Sequence, residues 1–121
     1  MKFPDQIEEF WRKREEQNER VFRYAGLTTK RFFSLDTRVY RENGILPARM
    51  KELMGLVASL VLRCDDCIRY HIVRCYEQGV RDEELEEALS IALVVGGSIT
   101  IPHLRRAYED WEALKTAQSG E

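Results

Sequence analysis

Helix-breaking residues are scarce: three prolines and seven glycines are scattered over 121 positions. Stretches that alternate apolar and polar side chains are missing too, which excludes a strand-built fold and leaves helices throughout. The longest apolar run, Ala88 to Gly97, contains Ser90 and reaches about half of a membrane span. Neither sign of charge dominates. Nineteen Lys and Arg stand against 21 Asp and Glu, interleaved rather than blocked, so the basic footprint of a nucleic-acid binder is absent. No apolar leader opens the sequence, since Phe3-Pro4-Asp5 passes straight into charged residues, and the expected location is the cytoplasm. Cysteine is rare as well. Three of them, an odd number in a leaderless chain, do not make a structural disulfide framework.

What is present suits one folded domain over 1–121. A hydrophobic share of 44% with 33% charged residues describes a globular chain long enough for a single core. The pattern predicts an all-α bundle of about six helices. The first starts after Pro4 and stops at Gly26, with a charged middle from Arg12 to Arg20 that suits an outer position. Thr28 or Thr29 is expected to cap a second helix carrying Phe32, Phe33, Leu35, Val39 and Tyr40, ended by Asn43-Gly44. Pro47 suits the first turn of a third, whose apolar residues run from Met50 to Val61. A fourth begins near Cys64 or Asp65 and stops at Gly79. Asp82 is expected to cap a fifth, with acids in its first turn. That helix is apolar nearly all round from Ala88 to Val95, which predicts burial on every side and hence association of more than one chain. Pro102 opens the last helix, and Thr116 to Glu121 are expected to fray.

The chemistry-bearing residues cluster on the fourth helix. Cys67 and His71 are four apart and share a face, about 6 Å from each other. Cys64 precedes Cys67 by three, at the helix start, so the two sulfurs can meet in a reversible disulfide. The helix N-terminus favours thiolate, while Asp65 and Asp66 oppose it unless they point outward. Glu52 stands in an otherwise apolar stretch, on a stripe with Gly55, Leu56, Ser59 and Arg63. A hairpin turning at Leu62 to Cys64 brings Glu52 and His71 to similar heights on adjacent helices. Carboxylate, imidazole and thiol in that order form a plausible proton relay.

Glu52, Cys64, Cys67 and His71 in this spacing resemble the signature of the carboxymuconolactone decarboxylase superfamily, in its alkylhydroperoxidase D-like branch. The resemblance runs from about Phe32 to Gly97 and includes Lys51-Glu52-Leu53, Cys67-Ile68-Arg69-Tyr70-His71 and Gly79 with Glu83 to Ala88. It implies an all-helical fold assembled as trimers or hexamers, and thiol-dependent reduction of hydroperoxides or disulfides at the expense of a thiol electron donor, without a cofactor or metal. It further implies that Cys67 attacks the peroxide, Cys64 resolves it, and Glu52 and His71 relay protons. In that branch's best-known members a histidine directly precedes the second cysteine; this chain has Asp66 there. Decarboxylases proper lack the cysteine pair.

Two other readings stand beside this one. Glu52 and His71 alone could perform acid–base chemistry on a lactone. Alternatively Cys64, Cys67, His71 and Cys75 could serve a metal-binding or redox-sensing module, although one straight helix cannot wrap four ligands around zinc. Haem attachment of the c type fails, because Ile68 follows the second cysteine. Cys75 reads as a buried small residue, His103 as a surface or interface histidine, and Tyr70 as packing.

Overall fold

The computed structural model describes residues 1–41 and 43–119. Among them the chain forms α1 (Asp5–Tyr24), α2 (Leu27–Arg41), α3 (Ala48–Val61), α4 (Asp65–Glu77), α5 (Asp82–Gly96) and α6 (Ile101–Ser119), with a single 3₁₀ turn at Ser98–Thr100 and no strand. Prolines mark two of the starts. The Pro4 carbonyl accepts the Ile7 and Glu8 N–H groups at 3.0 Å each, and that of Pro47 accepts Met50 and Lys51 at 3.0 and 3.1 Å, so Pro47 precedes α3 instead of lying in its first turn.

Two expected caps are corrected. α2 starts at Leu27 with no Thr cap, because the Gly26 carbonyl already receives the Lys30 N–H at 3.2 Å. The N-cap of α5 is Arg81, not Asp82. Glu84 turns back to the Arg81 N–H at 3.0 Å, which frees Asp82 to accept from the Trp111 indole at 2.8 Å and from Lys115 at 2.6 Å. These bonds pin the start of α5 to α6. The expected fraying at the end is also corrected as far as Ser119, which is helical. Gln118 bonds the backbone of Lys2, so the two ends of the chain brace each other. Gly120 and Glu121 lie outside the described residues.

The core sits around α3, which packs most heavily on α4 and α5, while α6 closes on α4. Leu56 and Leu60 of α3 meet Ile68, Ile72 and Val73 of α4, Leu85 and Leu89 of α5, and Trp111 and Leu114 of α6. Each such large side chain contributes about 2 kcal/mol by leaving water. Only Ile7 of α1 is buried, and no residue of α2 is. Those two helices therefore form an arm, joined by Phe22 against Phe33 with ring centroids 4.8 Å apart. α5 buries Leu85, Leu89 and Ala92 against the chain, while Val94 and Val95 are 84% and 69% exposed. One chain supplies neighbours for only one side of this helix.

Candidate active site

The α3–α4 hairpin turns where expected, through Leu62 to Cys64. The Leu62 N–H returns to Ala58 at 2.9 Å, that of Cys64 to Ser59 at 3.1 Å, and Arg63 takes a left-handed φ of 57° to reverse the chain. Cys64 thereby becomes the N-cap of α4, and its sulfur accepts the Cys67 N–H at 3.3 Å. The two sulfurs are joined as a disulfide. Their surroundings differ: Cys67 is exposed and Cys64 half-buried.

One turn further along α4, His71 Nδ1 lies 2.8 Å from Glu52 Oε2, and both residues are buried. With Nδ1–H donated to the carboxylate, Nε2 keeps a lone pair. Gly55 makes this approach possible. A Cβ there would lie 2.6 Å from His71 Cε1, 2.8 Å from His71 Nε2 and 2.6 Å from the Tyr40 hydroxyl. The imidazole edge and the phenol both occupy the space a side chain would need. Tyr40, the half-buried end of α2, has its ring 5.3 Å from that of His71. Burial and the nearby Glu52 charge raise its phenol above the ordinary range.

The acids beside the cysteines behave differently from each other. Asp65 turns away to α6, where His103 Nδ1 lies 2.7 Å and Arg106 3.2 Å from its oxygens. Hydrogen bonds from His103 first and Arg106 second hold this carboxyl below its usual range. His103 is thus a half-buried partner of the start of α4. Asp66 faces the cleft with Cys67. Cys75 is fully buried, and burial together with the Glu52 charge pushes its thiol up to about 12. A thiol so raised is protonated at neutral pH. Among the described residues no three His, Cys, Asp or Glu side chains converge as a metal-holding group, so the four residues of the metal reading do not assemble into one site.

Above Cys67 and His71 a cleft of about 930 Å³ opens between α4 and the α1–α2 arm. Tyr70, expected as packing, stacks on Trp11 at 5.6 Å and presents its edge to His71 at 5.3 Å. Arg14 and Arg74 lie over the same ring at 4.6 and 5.2 Å. Tyr40 and Arg14 escaped the sequence reading. Tyr40 looked like one more apolar marker of its helix, and Arg14 one more charge in a solvated run. No local pattern distinguishes either.

Residues 27–110 match the carboxymuconolactone decarboxylase family. Two crystal structures of TM1620 from Thermotoga maritima are similar to this chain at 59% and 60% identity, with TM-scores of 0.89 and 0.87. Each covers 93% of this chain, against 98% and 94% of TM1620. One of them is described as a carboxymuconolactone decarboxylase family protein with a suggested involvement in an antioxidative response. The family protein lpg0406 of Legionella pneumophila, in its apo form, is 25% identical with a TM-score of 0.74, covering 93% of this chain and 96% of its own. An uncharacterised protein of Cupriavidus necator, H16_B0147, is 30% identical over 73 residues. That match takes in 60% of this chain and 65% of the Cupriavidus protein's length.

Proposed function

Because the chain belongs to the carboxymuconolactone decarboxylase family, we propose that it is a thiol-dependent peroxidase whose Cys64–Cys67 pair cycles between dithiol and disulfide. The observation that carries this reading is the buried Glu52–His71 pair at 2.8 Å, whose His71 lines the same cleft as the exposed Cys67. The antioxidative role suggested for one TM1620 structure agrees with it.

In the reduced protein, His71 takes the Cys67 proton while Glu52 steadies the imidazolium. The thiolate attacks the terminal peroxide oxygen, the O–O bond breaks, and the alkoxide leaves with a proton as alcohol. Cys67 is now a sulfenic acid. Cys64 attacks it, closing the disulfide and releasing water. One hydroperoxide and two thiols thus give one alcohol, one water and one disulfide. An external dithiol then attacks the exposed Cys67 sulfur. Cys64 departs as the thiolate, held at the helix N-cap by the Cys67 N–H, and a stabilised leaving group speeds exchange. The reading also takes the protein to work as an assembly of identical chains, three or six as in the branch it resembles.

Free-thiol counts before and after one equivalent of cumene hydroperoxide test the proposal. The expected result is loss of two thiols per chain, a Cys64–Cys67 link by mass mapping, and Cys75 unchanged. Three surviving thiols, or Cys75 as the main partner, would overturn it. Acid–base chemistry on a lactone needs Glu52 and His71 but no sulfur, so Cys67→Ser would leave that activity intact.

A further inference from the structure

Arg14 is half-buried on the wall of the cleft that contains Cys67. Its guanidinium lies 4.6 Å above the Tyr70 ring and 5.6 Å from that of Trp11, two rings that are nearly parallel at 5°. A guanidinium over aromatic rings is held there by cation–π attraction. The N–H donors of a guanidinium lie in one plane. Two other guanidiniums of the cleft are claimed, Arg69 by Asp110 and Arg74 by Glu77. Among the described residues Arg14 has the two rings as partners and no carboxylate.

Tyr70 follows Cys67 by three residues, so ring and sulfur share one face of α4 about 5–6 Å apart at Cβ. Arg14, over the Tyr70 ring, and Cys67 line the same cleft. Between and around them Phe10, Phe33 and Tyr70 supply apolar wall. The volume suits an organic molecule, for which pockets of about 300–1,000 Å³ are usual. Asp66, at the sulfur end, disfavours a second negative charge beside Cys67 and directs an anion toward Arg14.

We propose, resting on the peroxidase reading, that the substrates are bulky organic hydroperoxides carrying a carboxylate, and that Arg14 receives this carboxylate while the peroxide reaches Cys67. A planar guanidinium edge and a planar carboxylate pair through two parallel N–H···O bonds. Specificity then comes from α1, an element outside the α3–α4 hairpin that holds the chemistry.

The para-carboxylate of cumene hydroperoxide and its methyl ester share the reacting peroxide and differ in this charge and one methyl group. The expected kcat/KM is about tenfold or more higher for the acid, the scale of a charge-assisted hydrogen bond, and added salt narrows the gap. Arg14→Gln should bring the acid-to-ester ratio close to one, and Arg14→Lys, which keeps the charge without the fork, should restore part of it. Calorimetric binding of the corresponding non-peroxidic alcohols, acid against ester, asks the same question without any redox step. Equal binding of the two alcohols, or a preference that survives Arg14→Gln, overturns the assignment. Arg14-dependent binding of the acid alcohol with no thiol lost to either hydroperoxide would instead sink the peroxidase reading and leave the anion site standing.

Discussion

Glu52 is a carboxylate that the chain buries against His71, its hydrogen-bonding partner among the described residues. Replacing either by glutamine keeps the shape and a polar contact while removing the group that moves a proton. Glu52→Gln should retain the fold and the Cys64–Cys67 disulfide, yet slow attack on hydroperoxide by about 10²-fold, the usual scale for acid–base catalysis. His71→Gln should cost a similar factor. Stopped-flow rates of the double variant are expected to fall little further, since one relay is broken once; losses that multiply would mean the residues act separately. Gly55→Ala tests the space that lets them meet. The new methyl would stand 2.6 Å from both His71 Cε1 and the Tyr40 hydroxyl, and His71 is tethered by Glu52. Urea denaturation should show a loss of about 1–3 kcal/mol, as overpacking does, along with a slower peroxide reaction. Unchanged stability and rate would mean the imidazole has room to move.

At the scale of the helix, the start of α4 is held from α6. Asp65 lies in the first turn, where a negative charge favours the dipole, and His103 and Arg106 bind its carboxylate. Because its folded pKa is lowered, the group adds stability that is fully present above the unfolded carboxyl value of about 3.9 and fades as pH falls through the lower folded value. Asp65→Asn should therefore destabilise the protein at pH 7 and make little difference near pH 2, measured by denaturant midpoints at both. The size will be modest, for Asp65 is half exposed to solvent. An equal loss at both pH values would assign its role to shape instead of charge.

For the molecule as a whole, the apolar surface that one chain leaves open carries the next expectation. Phe32, Leu35 and Val39 of α2 and Ile91, Val94 and Val95 of α5 are exposed, and clustered exposed apolar side chains mark surfaces of association. Light scattering should report a mass of several chains at micromolar concentration. Val94→Asp with Val95→Asp should lower that mass while circular dichroism stays helical; a wild-type monomer would remove self-association from the reading. No helix among the described residues is long and apolar enough to cross a membrane.

Local information sufficed for the all-helical class and most helix limits, since periodicity, proline and glycine act within a few residues. It also sufficed for Cys64, Cys67 and His71, whose spacing of three and four places them on one helix face whatever surrounds it. The Glu52–His71 contact needed only one short hairpin beyond that. What tertiary structure alone decided involves residues far apart in the chain. Asp65 meets His103 and Arg106 across 38 and 41 positions, and Arg14 meets Tyr70 only because α1 lies along α4. The Ala88–Val95 segment makes the same point in reverse: its composition announced burial, but burial depends on which surfaces arrive to cover it, and within one chain α3 covers a single side.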